Sequence, residues 1–266
     1  MKIVVFDLDE TLGYFSELSI LWDCFDNYIK NETKYNKLSK QDFFYLLDIF
    51  PEFLRPNIIN ILKYLKEQKI KNKCNHIMIY TNNQGEKEWI NNIKYYFEEK
   101  INYHLFDKII SAFKINGVHI ELCRTTHNKC MKDFIKCTKL APNAELCFID
   151  DVFHPNMVAD NVYYIHINPY THDLLYTEMI NRVIKSNYFN KYIKNNDDFY
   201  TKMLELYKEY NYIEIEKSKQ EYEIDKILGK KILNHIKIFF KENNNKTHKI
   251  HKKIKQYKNK TLKINN

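Results

Sequence analysis

Four short apolar runs mark the first two-thirds of the chain, at 3–6, 77–80, 146–149 and 162–167. They are rich in β-branched and aromatic residues, and the first three stop abruptly at polar or acidic residues. Such runs read as strands buried on both faces, with function at their carboxyl ends. Between them the apolar positions take helical spacing, over 18–30, 41–50, 57–70, 89–97 and 127–140. In 57–70, Ile58, Ile61, Leu62 and Leu65 share one face, and Pro56 supplies a helix-start signal. Asn116-Gly117 between two apolar stretches, 109–115 and 118–123, predicts a two-residue hairpin. Alternating strands and helices predict an α/β fold built on a doubly wound parallel sheet, in which ligands bind beyond the carboxyl ends of the strands.

Composition narrows the class. Hydrophobics at 44% and aromatics at 15%, with only 4 Gly and 5 Pro, exclude collagen-like, linker-like and wholly disordered chains. No run of apolar residues is long enough to span a membrane, and the start MKIVVFDLDE reaches acids after one short apolar run. The expectation is an intracellular protein, cytoplasmic or nuclear, without a membrane partner. Six scattered cysteines are then expected as reduced thiols.

The net charge of +8 is uneven. Residues 230–266 carry 12 Lys against Glu242, and the rest of the chain is mildly acidic. Three regions are expected: a catalytic-type domain at 1–184, a Tyr/Glu/Lys-rich helical extension at 185–229, and a basic tail at 230–266, with Gly229 at the junction. The tail reads as a solubilising or disordered segment, as a grip for nucleic acid through phosphate contacts, or, in HKKIKQYKNK at 251–260, as a localisation signal.

The chemistry is concentrated where strands end. Asp7 and Asp9, two apart, point the same way from the first run. Side-by-side carboxylates repel, so they need a cation or a shared proton. Asp150 and Asp151 end the third run and can complete an oxygen cage for a hard cation such as Mg2+. No GxxxxGK[ST] or GxGxxG occurs, which gives nucleotide-loop enzymes no support.

FDLDETL at 6–12 resembles the DxDxT motif of the haloacid-dehalogenase-like phosphatases, and its wording is most similar to the FCP/SCP-like (NLI-interacting-factor-like) CTD-phosphatase branch. Thr81 in IMIYT matches the second motif of that superfamily, Asp150-Asp151 in CFIDD the fourth, and EFLRPNIINILKYL the branch's RPG segment, with Asn57 in place of glycine. The resemblance covers roughly residues 1–170. It implies a Rossmann-like HAD fold and an aspartyl-phosphate mechanism. Asp7 would attack phosphorus, and Asp9 would protonate the leaving alkoxide and then activate water. Mg2+ would be held by the Asp7 carboxylate, the Asp9 main-chain carbonyl, and Asp150 or Asp151.

Thr81 would hydrogen-bond a phosphoryl oxygen, and Thr11, Asn82, Arg124 and His154 are the candidate substrate contacts. The motif III lysine is Lys129 or Lys132. A cap at Thr125, Thr126 or Asn128 favours Lys129, and the KD dipeptide of the branch favours Lys132. Gly13 and Gly85 are expected in loops that wrap the phosphate. The segment between the first two motifs, roughly 16–55, is the place for a small lid. Cys123, His127 and Cys130 have an irregular zinc-like spacing, and thiols serving in the core or at the surface are the expectation.

Three functions stay open. One is a protein phosphoserine/phosphothreonine phosphatase. The second is a phosphatase of polynucleotide ends or small molecules, since TNNQG is similar to the TNQxG of those enzymes, which carry glycine where this chain has Glu10. The third is a non-catalytic binding protein that keeps the fold. The sequence implies no particular oligomeric state.

Overall fold

In the computed structural model, residues 1–211 and 217–241 are described. Seven strands follow in order: β1 (Lys2–Phe6), β2 (His76–Tyr80), β3 (Lys108–Ile110), β4 (Lys114–Ile115), β5 (Val118–His119), β6 (Glu145–Asp150) and β7 (Val162–His166). Five of them form one sheet in the order β3-β2-β1-β6-β7, with every pairing parallel. β4 and β5 form a separate antiparallel hairpin around Asn116 (φ 48°) and Gly117 (φ 81°), the left-handed pair that a tight hairpin turn requires.

β1 is central, and that explains its composition. Val4 and Phe6 face an apolar layer built with α1 (Ser16–Glu32), α2 (Lys40–Ile49), α3 (Ile58–Ile70) and α4 (Lys87–Ile101). Ile3 and Val5 face a second layer containing Phe134 of α5 (Met131–Thr138), Phe148 and Met157. All four side chains are at most 1% exposed, each worth about 1.5–3 kcal/mol of burial. The sheet is thus covered on both faces, as its uninterrupted apolar runs require.

Helices α6 (Tyr176–Lys185), α7 (Asn196–Lys208) and α8 (Lys219–Lys241) complete the described chain. The boundaries expected at 184/185 and 229/230 do not coincide with breaks in packing. Phe189, Phe199 and Met203 enter the first layer beside Phe25 and Tyr28 of α1, and Ile232, Ile236 and Phe239 of α8 enter the same layer. Gly229 is not a junction but an interior position of α8. A Cβ there would lie 2.1 Å from the Pro56 carbonyl oxygen, so only glycine lets α8 approach the start of α3. The rest of the basic tail, 242–266, including 251–260, lies outside the described residues. Among the described residues no helix is long and apolar enough to cross a membrane.

Two further expectations are corrected. The helix expected over 127–140 is only α5, with Cys130 as N-cap rather than Thr125, Thr126 or Asn128. Thr125 instead donates from N and Oγ1 to Asp133 at 2.8 Å, which holds residues 124–129 as a loop. The cysteines are not all free. Cys123 and Cys137, 5.0 Å apart at Cα, are joined, while Cys24, Cys74, Cys130 and Cys147 are buried free thiols. The pairing runs between a loop and the last turn of α5, a contact that sequence spacing does not display.

Candidate active site

The carboxyl ends of β1, β2 and β6 lie side by side, because β1 pairs with both neighbours in parallel register, Phe6 opposite Ile79 and Ile149. The loops leaving these strands line a cavity of about 280 Å³ with Asp7, Asp9, Glu10, Thr81, Asn82, Asn83, Lys129, Asp150, Asp151, Val152 and His154. Residues distant in sequence converge because Asp7 and Thr81 directly follow β1 and β2, Asp150 ends β6, and Lys129 reaches in from the loop before α5.

Lys129 is the hub. It is 2% exposed, and its Nζ donates both to Asp7 Oδ1 and, at 2.7 Å, to Asp150 Oδ2. Asp150 Oδ1 accepts from the Val152 N–H at 2.8 Å, which fixes that carboxylate. Asp151 Oδ1 accepts from Thr11 Oγ1 at 2.9 Å, so the Thr11 hydroxyl braces an acid rather than facing a substrate. Asp9 Oδ2 accepts from Asn83 Nδ2 at 2.8 Å. Thr81 is fully buried, with Oγ1 accepting from the Asn83 N–H at 2.9 Å. His154 is buried, with Nε2 3.6 Å from Asp150 Oδ2.

Burial dominates the electrostatics. It pushes the Asp7 carboxyl up, helped by Asp150 and Asp151 and opposed by Lys129. Asp150 is raised for the same first reason. Asp9 is raised to about 6 by burial and then by the Asp7 charge, against the Asn83 hydrogen bond. His154 is lowered to about 4 by burial, then by Lys129 and Arg124, so it is a neutral imidazole at neutral pH. Asp7, Asp150 and Asp151 each bring a carboxylate oxygen to within 4.8 Å of the others. An all-oxygen donor set of this kind fits a hard divalent cation.

Not every expected residue joins the site. Lys132 is exposed on α5, so of the two candidate lysines only Lys129 reaches the acids. Arg124 is not a substrate contact. It is 1% exposed, and its guanidinium donates to the carbonyls of Thr81 (3.0 Å), Ser111 (2.8 Å) and His127 (2.8 Å) and to Asn82 Oδ1 (2.8 Å). Gly13 faces the Phe53 carbonyl, 2.5 Å from where a Cβ would lie, rather than the cavity. Cys123, His127 and Cys130 do not form a ligand set among the described residues. Cys130 Sγ instead accepts from the Asp133 N–H, and the His127 ring packs on Phe113.

Two contributors were missed. Asn83 follows Asn82 in the same TNNQG stretch, and only the loop geometry selects it. Glu10 lines the cavity with φ 54°, a left-handed position that favours glycine. Arg55, 1% exposed, donates to the carbonyls of Glu10, Thr11 (2.7 Å) and Asn168 (2.8 Å) and so secures that turn.

Fold and site together define an α/β protein with a lysine-bridged acidic cluster at the carboxyl end of a five-stranded parallel sheet. Comparison with protein-family models finds no match, and comparison with curated proteins finds no relative.

Proposed function

We propose that this chain is a Mg2+-dependent phosphomonoester hydrolase that works through a phosphorylated Asp7, with phosphoserine or phosphothreonine in proteins as substrate. The observation that carries the reading is Lys129, one buried ammonium bonded to acids at the ends of two adjacent parallel strands. A group that neutralises Asp7 in this way can also neutralise a phosphoryl group transferred to it, and charge neutralisation with positioning is most of phosphoryl-transfer catalysis.

Asp7 attacks phosphorus and takes the phosphoryl group as the ester oxygen leaves. Asp9, whose carboxyl is held near pH 6, gives its proton to that oxygen. Asp9 then accepts a proton from the water that attacks the phosphoryl group, releasing phosphate and restoring Asp7. Thr81 and Asn82 line the pocket where phosphoryl oxygens would be bound. Asp7, Asp150 and Asp151 would hold the Mg2+, and the resemblance adds the Asp9 main-chain carbonyl. When bound, the ion supplies positive charge to the phosphoryl oxygens. The cavity lining comes from strand-end loops and none of it from residues 16–55, so the helical segment expected as a lid leaves the catalytic pocket accessible to a macromolecular substrate.

The test is turnover by the full chain, with and without Mg2+, of p-nitrophenyl phosphate, a phosphoserine peptide and a 3′-phosphorylated oligonucleotide. Mg2+-dependent turnover that Asp7→Asn abolishes is the expected result. Turnover that survives Asp7→Asn would remove the aspartyl-phosphate, and no turnover of any ester would make this a binding protein. Preference for the oligonucleotide would reassign the substrate to nucleic-acid ends.

A further inference from the structure

A second cavity, of about 530 Å³, opens beside the first, and Asn83 lines both. Its walls come from α1, from the loop before α2, and from residues 83–92 leading into α4. The helical segment at 16–55 therefore builds a pocket next to the catalytic one rather than a cover over it.

Four acids and two lysines, Lys30 and Lys37, line this cavity, which leaves it net negative. Its walls include the chain's two tryptophans, Trp22 and Trp89, 6.5 Å apart between ring centroids. Four acids lie around them. Asp26 pairs with Lys30 at 2.7 Å and Glu88 with Lys37 at 3.6 Å. Asp23 and Glu86 have no ion-pair partner among the described residues, and both are exposed at the rim. Burial raises the Asp23 carboxyl above its usual range, with Asp26 and Glu86 adding to it and Lys30 opposing. Asn92, only 5% exposed, lines the same cavity, and its amide has no hydrogen-bond partner among the described residues. That amide opens on the cavity and can hydrogen-bond what fills it.

We infer that this cavity binds an organic cation, an ammonium or guanidinium group carried by the leaving-group side of the phosphoester substrate. The inference rests on the hydrolase reading for the word substrate, but the pocket itself does not depend on it. Four carboxylates against two lysines disfavour an anion. A metal ion is disfavoured because the carboxylates here do not converge, as those of Asp7, Asp150 and Asp151 do. A diffuse cation gains from indole rings and from carboxylates at a distance. Asn83 connects the two pockets, since its Nδ2 donates to Asp9 and its Oδ1 accepts from the Gly85 N–H at 2.8 Å. A substrate with its phosphate at Asp7 and its cation beside the tryptophans lies across Asn83.

Both tryptophans line the cavity, so intrinsic fluorescence of the full chain reads it directly. The titrants are choline, Nα-acetyl-lysine methylamide and the neutral tert-butyl analogue of choline. A saturable response to a cationic probe, absent for the neutral one, is expected. It should weaken about tenfold in the double variant Asp23→Asn/Glu86→Gln. The urea midpoint of that variant establishes that it folds, and Asp7→Asn should bind the cation as the wild type does. The tighter cationic probe identifies a small-molecule or a peptide source. An equal response to the neutral probe, no saturation, or no effect of the double variant overturns the inference. In a second arm, the double variant should lower the ratio of kcat/KM for phosphocholine over glycerol 3-phosphate about tenfold. Cation binding without any ester turnover would sink the hydrolase and leave the pocket. Turnover without cation binding would do the reverse.

Discussion

The Arg124 guanidinium donates to the Thr81 main-chain carbonyl at 3.0 Å, from a position 1% exposed to solvent. The same fork holds Ser111, Asn82 and His127. One buried cation thus fastens the loop after β2 to the loop that presents Lys129. Removing it strands several buried acceptors, each costing about 1–3 kcal/mol. Arg124→Ala is expected to lower stability by about 3 kcal/mol and kcat at least about tenfold through misplaced groups. Arg124→Lys should not rescue either, because an ammonium cannot span the fork. Urea unfolding and p-nitrophenyl phosphate turnover check both, and wild-type kcat in Arg124→Lys would refute the positioning role.

Asn83 acts on the proposed acid. Its amide fixes Asp9 Oδ2 at 2.8 Å. Asn83→Ala leaves that carboxyl free to rotate, so protonation of a poor leaving group suffers most. The expected loss in kcat is about tenfold for an alkyl phosphate and smaller for p-nitrophenyl phosphate, whose leaving group needs no proton. Equal losses on both esters would contradict the assignment of Asp9 as acid.

Asp42 sets a pH limit on stability. Fully buried, it accepts from Lys191 Nζ at 2.7 Å, Tyr192 Oη at 2.8 Å and the Ser39 N–H at 2.7 Å. Burial raises its carboxyl, and the bonds to Lys191, Ser39 and Tyr192 together outweigh burial, leaving it below the ordinary 3.8. A folded-state value below the unfolded one stabilises above the unfolded value and is lost as pH falls through the folded one. Stability should therefore decline below about pH 4. Asp42→Asn should flatten that decline and cost roughly 2–3 kcal/mol at neutral pH. Urea midpoints measured across the acid range test it.

Gly229→Ala tests the docking of α8. In a free helix alanine gains about 1 kcal/mol over glycine. Here the methyl would meet the Pro56 carbonyl 2.1 Å away. Overpacking of this kind costs about 1–3 kcal/mol, so the net expectation is destabilisation. A more stable variant would mean that α8 does not need this close approach.

Much of the scaffold was legible because its signals are local. All four apolar runs became strands of the sheet, and Asn116-Gly117 became a hairpin turn. Asn57 takes φ 70°, a left-handed position that nothing local in the sequence announces. Contacts between distant segments were not legible. The choice of Lys129 over Lys132 turns on where α5 begins, and Cys130 caps it later than the Thr and Asn residues upstream would suggest. Arg124 reads as a substrate contact because nothing local shows that four acceptors from three segments surround it. Gly229 looked like a boundary because the charge changes there, whereas packing against Pro56 sets its identity.

The central place of β1 has a consequence for synthesis. Asp7 is made before its lysine, which follows 122 residues later, and before the flanking strand β6, which comes later still. β1 can pair with β2 on one edge once residues 76–80 are made, but its other edge stays unpaired until β6 follows. Long-range parallel pairing of this kind is slow and exposed to aggregation. The acidic cluster cannot assemble until Asp150 has emerged, so a chain interrupted before that point carries the proposed nucleophile without the means to use it.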